Sequence, residues 1–315
     1  MHVFRSLSDI PAGFGPSAVT IGKFDGVHLG HRAVIERLRS VAAARALASV
    51  VVTFDRHPHA LLRPGHLPEP LVSNEQKLEL LASLHPDAAL MLTFDAALSH
   101  ESAEEFVSSV LVDALHAKAV LVGADFRFGD GGAGTVDVLT ELGRHHGFDV
   151  LVVEDVSPAG TRVSSSGIRS LLAEGRVAEA AELLGELPTV RGTVVTGQQR
   201  GRAMGYPTAN LSPHPEGFVP ADGVYAAWLT VGGVRYAAAV SIGNNPTFDG
   251  VPDKQVEAHA IDQVLDLYGQ VAEISFVEYV RGMRKFAGPD ELATEMRADE
   301  DRIRVILGVA PKPTP

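Results

Sequence analysis

The chain has 315 residues, of which 45% are hydrophobic and 21% charged, and it contains no cysteine. That length predicts two domains with full cores, and the missing cysteine excludes disulfides, thiolate metal sites and cysteine nucleophiles. With a boundary at Glu186, the first part carries 15 Lys/Arg against 24 Asp/Glu and the second 12 against 15, so neither offers the basic field that nucleic-acid binding demands.

The first part alternates apolar runs with helical patterns. Ala18–Ile21 reads as a strand, and the loop Gly22-Lys23-Phe24-Asp25-Gly26-Val27-His28-Leu29-Gly30-His31 follows it. A helical pattern starts at Arg32, and Ser49–Asp55 then reads as a buried parallel strand, completing a βαβ unit. Helices over Asn74–Leu84 (with Ser73 as its N-cap), Ser102–Leu115 and Val136–His146 alternate with strands over Ala88–Phe94, Ala119–Val122 and Asp149–Val153. This spacing predicts a doubly wound, Rossmann-like parallel sheet. Two short helices, about Ile168–Glu174 and Val177–Leu184, lead to the linker Gly185-Glu186-Leu187-Pro188.

Beyond the linker the period changes to two. Strands are predicted over Val190–Val195, Gly223–Val231, Val234–Ile242, Val256–Ile261 and Gln270–Val280, with Gly232-Gly233 as a hairpin turn and Pro289–Leu307 as a closing amphipathic helix. The second part therefore reads as an antiparallel β-barrel with a terminal helix. Met1–Arg5 lacks a charged-then-apolar leader, and no uncharged apolar run approaches the ~18 residues of a membrane span. The expectation is a cytoplasmic protein, 1–186 and 187–315 by domain, that binds neither nucleic acid nor membrane; weak self-association stays open.

Several stretches point to chemistry. His28 and His31 sit where a strand passes through a glycine-rich loop into a helix, and free N–H groups at such a terminus suit phosphate. Ordinary helix-start histidines, or a metal site lacking an obvious third ligand, are the competing readings. Ser164, Ser165 and Ser166 at a helix start, with Arg169 just inside it, form a second anion-receptive terminus or a simple cap. Asp125 and Arg127 are ligand groups or a structural ion pair. His57 is a loop residue that lines the pocket at most. Gly197, Gly201 and Gly205 lead into Pro207-Thr208-Ala209-Asn210, a rigid turn whose Thr208 and Asn210 offer the hard oxygens that Mg²⁺ prefers, or only turn hydrogen bonds. The turn at Asn245 has the same ambiguity. Glu257 and His259 share one face of a strand, and a carboxylate among apolar neighbours is costly unless paired or used, so Glu257 is a candidate general base.

Gly22–His31, Phe126-Arg127-Phe128-Gly129 and Ser164-Ser165-Ser166-Gly167-Ile168-Arg169 resemble the adenylyltransferase half of the bacterial bifunctional riboflavin kinase/FAD synthetase family. Gly205-Tyr206-Pro207-Thr208-Ala209-Asn210, Ile242–Phe248 and Val256-Glu257-Ala258-His259 resemble its riboflavin kinase half, so the likeness covers about residues 15–307. The chain departs from the family pattern at Arg56, Gly132, Thr135, Thr196 and Gln263. The resemblance implies two reactions with ATP as co-substrate: riboflavin to FMN in the second half, and FMN to FAD in the first. It implies nucleotide contacts from Gly22, Phe24, Asp25, His28, His31, Asp125, Ser164, Ser165, Ser166 and Arg169. In the kinase half it implies contacts from Gly197, Gly201, Gly205, Pro207, Thr208, Asn210 and Asn245, Mg²⁺ at Thr208 and Asn210, and catalysis by Glu257. Two rivals stand beside this reading, a nucleotidyltransferase for another phosphorylated acceptor and a non-catalytic flavin or nucleotide sensor; retention of His28, His31 and Glu257 argues against the sensor.

Overall fold

Short, continuous runs of β-branched residues become strands buried on both faces. In the computed structural model, which describes residues 1–56, 68–153, 163–196, 207–243 and 254–310, β1 (His2–Phe4), β2 (Ser17–Ile21), β3 (Ala48–Phe54), β4 (Ala88–Leu92), β5 (Ala117–Gly123) and β6 (Asp149–Val153) form one sheet. Its order is β1-β4-β3-β2-β5-β6, and every pairing is parallel. Helices α1 (Leu29–Arg45), α2 (Asn74–Ser83), α3 (Ala103–Phe106) and α4 (Val136–His146) connect the strands. Val19, Ile21, Val50 and Val52 pack into one layer with Val107, Leu111 and Leu139, while Ala18, Val51 and Leu121 pack into the other with Ile35 and Leu38 of α1. The doubly wound arrangement follows from that two-sided burial.

Packing divides the chain into two compact units, Met1–Glu69 with Asn74–Ser164, and Pro70–Ser73 with Ser165–Pro315. The second unit begins with α5 (Ser165–Ala173) and α6 (Val177–Leu184). Its barrel comprises β7 (Thr189–Val195), β8 (Ala209–Leu211), β9 (Gly223–Val231), β10 (Val234–Gly243), β11 (Gln255–Ala260) and β12 (Val271–Arg281). The strands close in the order β10-β11-β8-β7-β12-β9, with every pairing antiparallel. Gly232 and Gly233 both have positive φ, at 57° and 80°, the backbone that a two-residue hairpin turn demands. Helix α6 packs on β12, and Leu172 of α5 accepts a hydrogen bond from Ala221 N. The terminal α7 (Pro289–Leu307) covers β9, β10 and β12, burying Ile303 against Ala226 and Ile261.

Four local expectations change. Helix α1 starts at Leu29 rather than Arg32, because His28 serves as its N-cap. The stretch expected as one helix over 102–115 runs from α3 into a π-helical segment, Val107–Ala114, which buries Val107, Val110 and Leu111. Ala209 and Asn210, expected in a turn, belong to β8. β12 carries register shifts between Phe276 and Glu278 and between Tyr279 and Arg281; they break the simple alternation read from its sequence and set Tyr279 opposite the buried Tyr225.

Candidate functional site

The strand order reverses at β2: β3 and β4 lie to one side, β5 and β6 to the other. Loops leaving the carboxyl ends at such a reversal flank the ligand crevice of an open α/β sheet. Here these are Gly22–His28 after β2 and Ala124–Phe128 after β5, which carries Asp125. The first is strained. Phe24 (φ 48°) and the β-branched Val27 (φ 40°) occupy the left-handed region, beside Gly26 at 78°; holding side chains there costs energy and is characteristic of functional loops. Phe24 and Val27 are nevertheless buried, and that burial offsets the strain.

His28 caps α1, with Nδ1 accepting from His31 N at 3.4 Å. The two imidazoles stack at 3.7 Å between centroids, and Phe24 tilts against His31 at 5.0 Å. Gly30 lets this stack form, because a Cβ there would lie 3.2 Å from the His28 ring. Burial pushes His28 down to about 4. Burial lowers His31 well below the usual imidazole range too, with further lowering from His28 and Lys77. His31 Nδ1 is buried without a hydrogen-bond partner among the described residues. A buried polar atom without a partner is costly, and here it lies at a helix N-terminus suited to an anion.

Lys77 carries a signal that sequence reasoning missed. From α2 its buried ammonium donates to Phe54 O at the end of β3, 2.8 Å away. Burial pulls its pKa down, while Asp25 and Asp55 pull it up. Asp25 itself is buried, so the predicted contact residue belongs to a charge cluster. Ser164 ends the first unit, whereas Ser165, Ser166 and Arg169 lie on α5 of the second.

In the barrel, Glu257 on β11 pairs in register with Asn210 of β8 on one side and Ser241 of β10 on the other. Two cavities flank this point. One, of about 250 Å³, is lined by Pro207, Thr208, Asn210, Gln263, Leu265 and Tyr268 among others. The other, of about 260 Å³, lies between the barrel wall and α7; it is lined by Thr208, Glu257, His259, Phe286, Leu292 and Met296 among others. Thr208 lines both. Asn210 Nδ2 donates to Thr208 Oγ1 at 3.3 Å, which turns the amide nitrogen toward Thr208, and both residues line the first cavity. Arg281 grips buried Asp299 of α7 through two nitrogens, at 3.0 and 2.7 Å, and so pins the helix above the second cavity; sequence reasoning saw that helix only as amphipathic. Gly197, Gly201, Gly205, Asn245 and His57 lie outside the described residues.

A sheet that offers an anion-receptive terminus at its reversal point suits a nucleotide. A carboxylate in one of two cavities that share Thr208 suits transfer of a group from one bound molecule to another. The chain is thus a nucleotide-using transferase. The FAD synthetase family matches residues 12–167, and the riboflavin kinase family matches residues 184–307. The bifunctional riboflavin kinase/FMN adenylyltransferase of Escherichia coli K12 is 36% identical over 92% of this chain and 93% of its own. The protein of that description from Listeria monocytogenes is 35% identical over 92% of each. A crystal structure described as a macrolide-efflux protein from Streptococcus pneumoniae superposes with a TM-score of 0.87 at 31% identity, covering 96% of this chain and 98% of that one. The chain belongs to the bifunctional riboflavin kinase/FMN adenylyltransferase family. The efflux description is that of the pneumococcal protein; among the described residues here, no helix is long and apolar enough to cross a membrane.

Proposed function

We propose that the two activities of this bifunctional FAD synthetase divide between its compact units, with FMN adenylylation at the His28/His31 loop and riboflavin phosphorylation at Thr208, Asn210 and Glu257. The observation that carries the division is that the histidine pair belongs to the first unit and Glu257 to the second. By function the boundary is drawn at 186/187, just inside the start of the riboflavin kinase match at residue 184.

In the barrel, the riboflavin 5′-hydroxyl oxygen attacks the γ-phosphorus of ATP, the bond to the β-phosphate bridge breaks, and ADP leaves. Glu257, in the cavity beneath α7, takes or orients the hydroxyl proton, and the flavin ring rests against Phe286, Leu292 and Met296. ATP occupies the adjoining cavity. Thr208 Oγ1 and Asn210 Oδ1 fit Mg²⁺, because that ion takes hard oxygens and draws its other ligands from water and substrate phosphates; when bound it neutralises phosphate charge. Placement of the two substrates on either side of Thr208 supplies the remaining catalysis.

In the first unit, an FMN phosphate oxygen attacks the α-phosphorus of a second ATP and pyrophosphate leaves. No covalent enzyme intermediate is needed. The α1 N-terminus and the His28 and His31 rings stabilise the growing negative charge, and Gly22, Phe24 and Asp25 shape the loop that holds them. Resemblance adds Asp125, Ser164, Ser165, Ser166 and Arg169 to the same step, and Gly197, Gly201, Gly205 and Asn245 to the kinase step.

Incubation with riboflavin, ATP and Mg²⁺ followed by separation of the flavins tests this reading. His28→Ala stops FMN to FAD and leaves riboflavin to FMN, and Glu257→Gln does the reverse. Loss of both steps in either folded variant would defeat the assignment.

A further inference from the structure

Thr208 stands at the seam of the two cavities, yet its own strand does little to hold it there. β8 has three residues and begins at Ala209, so Pro207 and Thr208 precede the ladder, and Pro207 has no N–H to contribute to one. The fixed point is His259. Its Nδ1 lies 2.9 Å from Pro207 O, and its Nε2 lies 3.1 Å from Glu300 Oε1 on α7. A carbonyl can only accept, so Nδ1 donates to Pro207 O, and the ring held this way brings Nε2 to Glu300. Glu300 is held in turn by Arg304 at 3.3 Å, and Arg304 reaches Asp262 at 3.1 Å. The imidazole is buried. Pro207 belongs to the wall of the first cavity, and His259 and Glu300 belong to the wall of the second.

We propose that His259 is a positioning residue for phosphoryl transfer: it ties Pro207 to the terminal helix and thereby fixes Thr208 between nucleotide and acceptor. The inference rests on the kinase reading of the barrel and deepens it. His259 acts here through Pro207 and not on the reacting atoms. Its loss therefore weakens the alignment of two bound substrates more than their binding, since the apolar wall formed by Phe286, Leu292 and Met296 stays in place. A displacement of an aligning group by about 1 Å can cost up to ~100-fold in rate.

The two halves of the bridge can be removed separately in the full-length protein. An asparagine at 259 places its amide nitrogen near the position of Nδ1 and keeps the tie to Pro207. A glutamine places its nitrogen near Nε2 and keeps only the tie to Glu300. Steady-state riboflavin phosphorylation is measured for His259→Asn, His259→Gln and His259→Ala, with FMN adenylylation and thermal unfolding followed on the same samples. The glutamine and alanine variants should lose roughly ten- to a hundredfold in kcat while KM for riboflavin moves by less than about threefold. The asparagine variant should recover most of that loss although it too gives up Glu300. Adenylylation should hold in all three.

Parental kcat in His259→Ala overturns the proposal. So does equal loss of kcat in the asparagine and glutamine variants in step with their melting temperatures, the mark of a structural role. Glu257→Gln, assayed in parallel, separates the two readings. If it phosphorylates riboflavin at the parental rate, the kinase site itself is misassigned; if it is inactive while the His259 series shows no asparagine rescue, only the positioning role fails.

Discussion

A histidine at a helix start is ordinary until its surroundings are weighed. His28 is buried, and burial pushes its pKa down to about 4 against a backbone hydrogen bond that raises it. The unfolded chain takes up a proton there near pH 6.5. Below that pH the unfolded state therefore binds a proton that the folded state refuses, so stability present above pH 6.5 is lost as the pH falls toward about 4. The linkage amounts to on the order of 3 kcal/mol over that window, and His31, lowered further, acts in the same sense. His28→Asn keeps an N-capping acceptor but removes the titration. Hydrogen exchange of the β2–α1 segment in urea, compared near pH 5 and near pH 7.5, should show a shallower pH dependence in the variant; an unchanged slope would mean that His28 titrates normally in the folded protein. Sequence reading reached His28, His31 and Glu257 because each polar group interrupts an apolar or glycine-rich pattern. It missed Lys77, because Glu75-Gln76-Lys77 at the start of a helix reads as a solvated face. Burial of Gln76 and Lys77 comes from the tertiary placement of α2 against the end of β3, which no local pattern encodes.

At the scale of elements, long periodic segments were legible and short ones were not. Gly223–Val231, Val136–His146 and Pro289–Leu307 begin and end where the pattern places them. β1 and β8 have three residues each, too few to show a period of two, and exist because longer neighbours offer them an edge to pair with. The bulges of β12 were illegible for another reason. They arise where Tyr279 turns onto the start of β9, so that a Cβ at Gly223 would lie 2.5 Å from Tyr279 Cε2 and 2.8 Å from Arg281 O. Arg281 O is backbone and cannot move without disturbing the β9–β12 pairing, and the Tyr279 ring would have to turn away. Gly223→Ala should therefore destabilise the barrel by about 1–3 kcal/mol while leaving adenylylation intact. Chemical denaturation followed by fluorescence of Trp228, the chain's single tryptophan and a residue of β9, reads that change directly. A midpoint equal to the parent's would show that the wall is more yielding than its contacts imply.

The whole chain joins two units that share no sheet, and the stretch between them is where sequence and packing divide it at different points. The linker residues Gly185–Pro188 end the helical period, and the riboflavin kinase family begins its match at residue 184. By packing, α5 and α6 belong with the barrel: α6 lies on β12, Val177, Ala180 and Leu184 are buried, and Tyr225 OH donates to Ala221 O beside the Ala221 N bond to Leu172. Pro70–Ser73 also joins this unit, with Leu71 O accepting from Phe218 N and Ser73 Oγ donating to Glu216. A fragment that starts at Leu187 keeps every described residue assigned to phosphorylation but bares the surface of β12 that α6 covers. One that starts at Ser165 keeps the cover and lacks only the four-residue contribution of the first half. Uncovering the contact costs about 1.5–3 kcal/mol for each large apolar side chain that loses its burial, a sizeable share of the stability of a domain this small. Both fragments should phosphorylate riboflavin, since Thr208, Asn210, Glu257 and His259 are common to them. The longer should unfold at distinctly higher urea concentration. Equal midpoints would show that α5 and α6 merely rest on the barrel, and a folded but inactive longer fragment would show that the kinase centre depends on the first unit.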